Sequence, residues 1–123
     1  MQRSHSMLLV PLAVVLASGL SSGGARAGDA EALRFARDLG VAIGGATACG
    51  LSAARASATG RKGLEFARTE GPGVPAARLE AVHAEAVRAA ALDQVNGRNP
   101  PCADVIRAYK GLEDQLTVPG AYR

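Results

Sequence analysis

The sequence holds little from which to build either a large core or a reactive site. Its 123 residues include no tryptophan, two tyrosines, two phenylalanines and two cysteines. Aromatic side chains supply the largest buried areas in most cores, so this chain must fold by packing small residues closely. The cysteines, Cys49 and Cys102, stand too far apart for a C-x-x-C redox pair, and no C-x-x-C-H haem signature occurs. Ser52, Ser57, Thr47 and Thr59 lack a neighbouring base pattern, and no G-x-S-x-G is present, which argues against nucleophilic catalysis. Gly40, Gly44 and Gly45 do not have the spacing that cradles a phosphate. No enzyme and no cofactor is expected. Lys and Arg do not cluster as a nucleic-acid footprint requires, so nucleic acid is excluded as a partner.

Long hydrophobic runs are scarce too. The longest, Met7 to Leu20, is interrupted by Pro11, Ser18 and Gly19 and falls short of the ~20 residues that span a bilayer. It follows a short basic stretch (Arg3, His5) and precedes Ala25-Arg26-Ala27, an A-x-A cleavage pattern. Residues 1–27 therefore read as a signal peptide cleaved after Ala27, and 28–123 as a single helical domain, periplasmic or secreted and without a permanent membrane span. Removing Arg3 and Arg26 leaves 12 of the 14 basic residues against all 11 acids, so the mature net charge is +1 rather than +3. The basic character of the whole chain comes mainly from the leader.

What the mature chain does have is a stripe of small residues. Leu33 to Leu51 carries Ala36, Gly40, Gly44 and Ala48 every fourth position, with Leu39 and Ile43 beside them. Such a stripe admits another backbone at short distance. Asp29 is the expected N-cap and the helix is expected from Ala30. Gly44-Gly45 either kinks it or marks the place of close approach, since each glycine costs about 1 kcal/mol in a helix interior. Further on, Gly60 and Gly63 bracket Arg61-Lys62, and Leu64 to Glu70 suits a short helix ending at Gly71. An L-x-F-A-R-x-x-G pattern occurs at Leu33–Gly40 and again at Leu64–Gly71, by coincidence or as a duplicated helical hairpin.

Gly71-Pro72-Gly73-Val74-Pro75 is a break. Ala76 to Val95 then forms the strongest helix pattern, with Leu79, Val82, Ala86, Val87, Ala90 and Val95 inward, and Asn96-Gly97 stops it. A last helix from Cys102 places Val105, Ile106, Tyr109, Leu112 and Leu116 on one face, and the tail from Val118 is expected to be irregular. The fold class is all-α: a small bundle of about four helices, stapled by a Cys49–Cys102 disulfide. Small exported domains commonly compensate a thin core this way, and closing a loop of this length is worth about 4 kcal/mol in the chain-entropy model.

Two local groupings invite a functional reading. Glu80-Ala-Val-His83 is an E-x-x-H element, but di-iron bundles use it twice with further glutamates, so no metal is expected. Arg55, Arg61, Lys62 and Arg68 form a local basic excess that reads as a solvated helix end or as a partner contact. The absence of chemistry points to a non-enzymatic interaction or accessory role in a bacterial envelope, as a monomer or weak dimer, with another envelope protein as the partner. In architecture the chain also resembles the small acid-activated periplasmic chaperones of the HdeA type: a short exported helical domain whose two cysteines form one long-range bridge. That resemblance implies binding of unfolded client proteins after acid loosens the fold.

Overall fold

The structure, a computed structural model, describes residues 27–117. Residues 1–26, which hold nearly all of the expected signal peptide, and the tail from Val118 lie outside the described residues. Four helices follow one another: α1 (Ala27–Ala48), α2 (Ala53–Glu70), α3 (Ala76–Val95) and α4 (Cys102–Thr117). No strand occurs among the described residues. They run up, down, up and down. Ala32 lies beside Gly71 and Ile43 beside Gly60, so α2 is antiparallel to α1, whereas Gly40 and Gly44 meet Ala86 and Val87, so α3 is parallel to it.

α1 is the hub, packed against each of the other three helices. It continues unbroken through Gly44-Gly45, and the reason is close approach to α3. A Cβ on Gly44 would fall on the Val87 carbonyl oxygen, and one on Gly40 would sit 2.6 Å from the His83 carbonyl oxygen and 2.7 Å from Ala86 Cβ. Only glycine lets the two backbones come that near. Asp29 is not the N-cap: α1 starts two residues earlier, and the Asp29 carboxylate accepts a hydrogen bond (3.2 Å) from Gly73 N–H in the α2–α3 loop.

α1 ends in a Schellman motif. Leu51 N–H donates to the Ala46 carbonyl and Gly50 N–H to that of Thr47, with Gly50 at φ +103°. Cys49 is therefore the C-cap residue, held at a fixed place. The same motif closes α3, where Arg98 N–H donates to Asp93 and Gly97 N–H to Gln94, with Gly97 at φ +73°. Ser52 caps α2, its Oγ accepting from Arg55 N–H at 3.3 Å.

α2 corrects the expectation of a short helix over Leu64–Glu70. It begins at Ala53 and passes through Gly60 and Gly63, both buried. Leu39 of α1, fully buried, occupies the space a Cβ on Gly63 would need, 2.5 Å from its Cδ2. Packing of that leucine offsets the glycine's helix cost. The two L-x-F-A-R-x-x-G segments face each other across this antiparallel pair. Ala36 and Ala67 are both completely buried in one cluster, and the Phe35 and Phe66 rings meet edge to face at 5.0 Å between centroids.

The core has two parts. One joins Ala32, Ala36, Ala67, Val74 and Leu79; the other joins Leu39, Ile43, Ala46, Ala56 and Tyr109. Phe35 and Leu64 pack against both. α3 packs chiefly on α1, and its backbone stays apart from that of α4. Val95, expected inside, is 74% exposed. Gln94 takes the inward position in that last turn, its Oε1 toward Gly45 and its Nε2 donating to the Pro100 carbonyl at 3.0 Å. The Cys49–Cys102 disulfide is present, with Cα atoms 5.5 Å apart and a sequence separation of 53. It fixes the first residue of α4 to the end of α1.

Two glycines of α1 and α2 should respond oppositely to the same change. Gly44→Ala forces α3 away and is expected to cost about 1–3 kcal/mol as overpacking. Gly60→Ala meets its neighbours only at 3.6 Å, so it should be neutral or stabilise by up to about 1 kcal/mol through helix propensity. Urea denaturation of both variants measures this; equal responses would refute the close-approach account.

Candidate functional site

The four cations singled out in the sequence do not act together. Arg55 is part of the fold: its Nε and Nη2 donate to the two Glu113 carboxylate oxygens at 2.8 and 2.6 Å, and its guanidinium lies 5.6 Å from the Tyr109 ring centroid. The Tyr109 hydroxyl, on a fully buried residue, is 2.7 Å from Thr59 Oγ1 and 3.3 Å from both Arg55 O and Glu113 Oε2. The Arg55 hydrogen bond holds the Glu113 carboxyl below its usual range and raises the guanidinium in turn, while burial raises the Tyr109 phenol. Arg68 reaches to 3.9 Å from Glu65 one turn before it. Arg61 and Lys62 are exposed, and they sit in the middle of α2 rather than at a helix end.

His83, on α3, is half-buried. Its Nδ1 is buried without a hydrogen-bond partner, and its Nε2 faces the open side of Gly60. Burial lowers the imidazole below the ordinary histidine range, with the Ala36 carbonyl pulling weakly the other way. Glu80, the other half of the E-x-x-H, is exposed. Among the described residues no three His, Cys, Asp or Glu side chains gather as a metal site would need.

Two grooves flank α3. The larger, about 610 Å³, lies between α1 and α3. Val41, 50% exposed, is its wall on α1, and Ala81, Val82, Ala86 and Ala89 are its wall on α3. Charged residues of both signs rim it. Glu85 and Asp93 are already paired with Arg88 and Arg98, whereas Arg37 and Arg78 have no partner among the described residues. Leu92, 59% exposed, lies seven residues beyond Glu85 and so on the same side of α3. The sequence pointed to none of this, because an alanine at a groove wall and an alanine in a core are indistinguishable by type. The one available signal was Val41, an apolar residue out of step with the stripe of Ala36, Gly40 and Gly44.

The second groove, about 420 Å³, lies between α2 and α3 over Ile43 of α1. Ser57, Gly60, Arg61 and Leu64 line it from α2, His83 and Val87 from α3. Ser57 and His83 share it with no hydrogen bond between them, and no carboxylate lines it to orient the imidazole, as an activated serine requires. The arrangement offers donors and an apolar floor, which is suited to binding.

Of the four shifted groups, His83 and Glu113 titrate on the acid side and give a signed pH dependence. A histidine whose folded pKa is lowered withholds its penalty above 6.5 and exacts it as pH falls below that unfolded value. Glu113 contributes above 4.5, and that contribution is lost as pH falls through its lower folded value. Stability measured by thermal melts should therefore drop in two stages on acidification. His83→Gln should remove the first stage alone; an unchanged profile would sink the assignment.

Comparison of the chain with protein-family models, with curated proteins and with solved structures finds no match.

Proposed function

We propose that this chain is a small exported helical protein of the bacterial periplasm that acts by binding, in an accessory role to another envelope protein, and that the α1–α3 groove receives an apolar helix of that partner. The observation that carries this reading is the groove itself. It has apolar walls that include Val41, Val82 and Ala86 and a rim of Arg37, Arg78, Glu85 and Asp93, the arrangement of a protein interface with an apolar centre and a polar edge. Its alanine walls leave room for a third helix to lie close. The Cys49–Cys102 bridge supports an oxidising compartment.

A photo-crosslinking side chain at Ala89, in the groove, should trap one protein in the envelope of the native host. The same group at Lys110, on the exposed side of α4, should not. Ala89→Arg should abolish co-purification of that protein while leaving the melting temperature unchanged. Equal adducts from both positions, or none from Ala89, would count against the reading.

A second reading, the acid-activated chaperone, is favoured by His83. Protonating an imidazole whose charged form burial disfavours would loosen the packing of α3 on α1 and α2, and further titration of carboxylates would make the chain strongly positive and self-repelling. It requires that the protein suppress aggregation of an unfolded client at low pH and not at neutral pH. Suppression at neither pH eliminates it.

A further inference from the structure

The groove between α2 and α3 has a composition that the proposed protein interface does not use. Three features set it apart from the groove on the other side of α3. First, the charged or titratable side chains that line it are Arg61 and His83, and no acidic side chain lines it. Arg61 has no ion pair or hydrogen bond among the described residues. Second, the donors converge. Ser57 and Arg61 are one turn apart on one face of α2, and His83 Nε2 stands 3.6 Å from where a Gly60 Cβ would be, on that same face. Third, the remainder is apolar apart from Thr47, whose hydroxyl donates to the Gly44 carbonyl: Ile43 forms the floor, with Leu64 and Val87 at the sides. Gly60 is what opens the space, since any side chain there would project toward His83 and the Ile43 Cδ1.

We propose that this groove binds a small alkyl carboxylate, with the carboxylate between Arg61, Ser57 and His83 and the alkyl chain over Ile43, Leu64 and Val87. Arginine matches a carboxylate with two parallel donors, the serine hydroxyl adds a third, and the imidazole accommodates the anion either as a neutral donor or as a cation. A volume of about 420 Å³ falls in the range of small-molecule sites. Small aliphatic anions suit it better than aromatic or doubly charged ones, because a single free cation lines the wall and the floor is narrow and aliphatic. The lowered pKa of His83 fits the same picture: burial disfavours the charged imidazole, and a bound carboxylate would favour it.

The test is a titration of the oxidised, isotope-labelled protein with hexanoate, followed by amide and imidazole NMR signals, beside hexan-1-ol and hexylammonium at equal concentration. Hexanoate should give saturable shifts at Ser57, Gly60 and Val87 and should raise the midpoint of the His83 titration. Arg61→Gln, at an exposed position that leaves the fold untouched, should weaken binding about fivefold, as loss of one partly solvated charge-assisted contact does. Gly60→Val, which fills the groove, should abolish binding. Comparable binding of hexan-1-ol, an unaltered affinity in Arg61→Gln, shifts confined to the α1–α3 groove, or no saturation with hexanoate would each overturn the proposal. The Ala89 crosslinking result is independent of all of these.

Discussion

The approach of α3 to α1 at Gly40 and Gly44 governs the rest of the structure. With the Val87 and His83 carbonyls lying where glycine Cβ atoms would be, the two helices meet backbone to backbone. Dispersion contacts between main chains then replace interdigitated side chains, which is how a chain with four aromatic residues still excludes water from its interior. The same closeness limits what is gained. Alanines such as Ala36, Ala86 and Ala90 bury little area each, and hydrophobic stabilisation scales with area.

That limit explains where the disulfide sits. α4 contributes one fully buried residue, Tyr109, to the bundle, and its backbone stays away from α3. A helix held so lightly loses much of its entropy for few contacts. The bridge from the C-cap of α1 to the first residue of α4 removes part of that cost beforehand, and Tyr109 with Thr59, Arg55 and Glu113 holds the helix thereafter. Arg55, still exposed, is thereby tied to α4, while Arg61, nearly two turns on, is left with no ion partner among the described residues.

Both grooves follow from the same constraint. Helices whose facing positions are alanine and glycine pack tightly along their line of contact but leave the valleys on either side unfilled. On one side of α3 the valley is rimmed by charges of both signs, as a protein surface is. On the other it is lined by cationic and neutral donors with no acid. Identical packing thus produces two surfaces with different electrostatics, and the difference lies in which residues fall one position either side of the contact line.

The sequence by itself determined the helical class, the cysteine pairing, the break at Gly71–Pro75, the stop at Asn96-Gly97 and the close-packing stripe at Gly40 and Gly44. Each of these rests on local backbone preference or on periodicity, which are properties of neighbouring residues. The tertiary structure decided the rest. It carried α2 through Gly60 and Gly63, because Leu39 fills the space against them; it turned Val95 outward, because Gln94 reaches the Pro100 carbonyl; it moved Asp29 from capping α1 to holding the α2–α3 loop. It also separated Arg55 from Arg61 and brought His83 beside Gly60. None of those outcomes is encoded within one helical turn: each depends on a backbone or side-chain group beyond it, whose position is set only when the chain has folded.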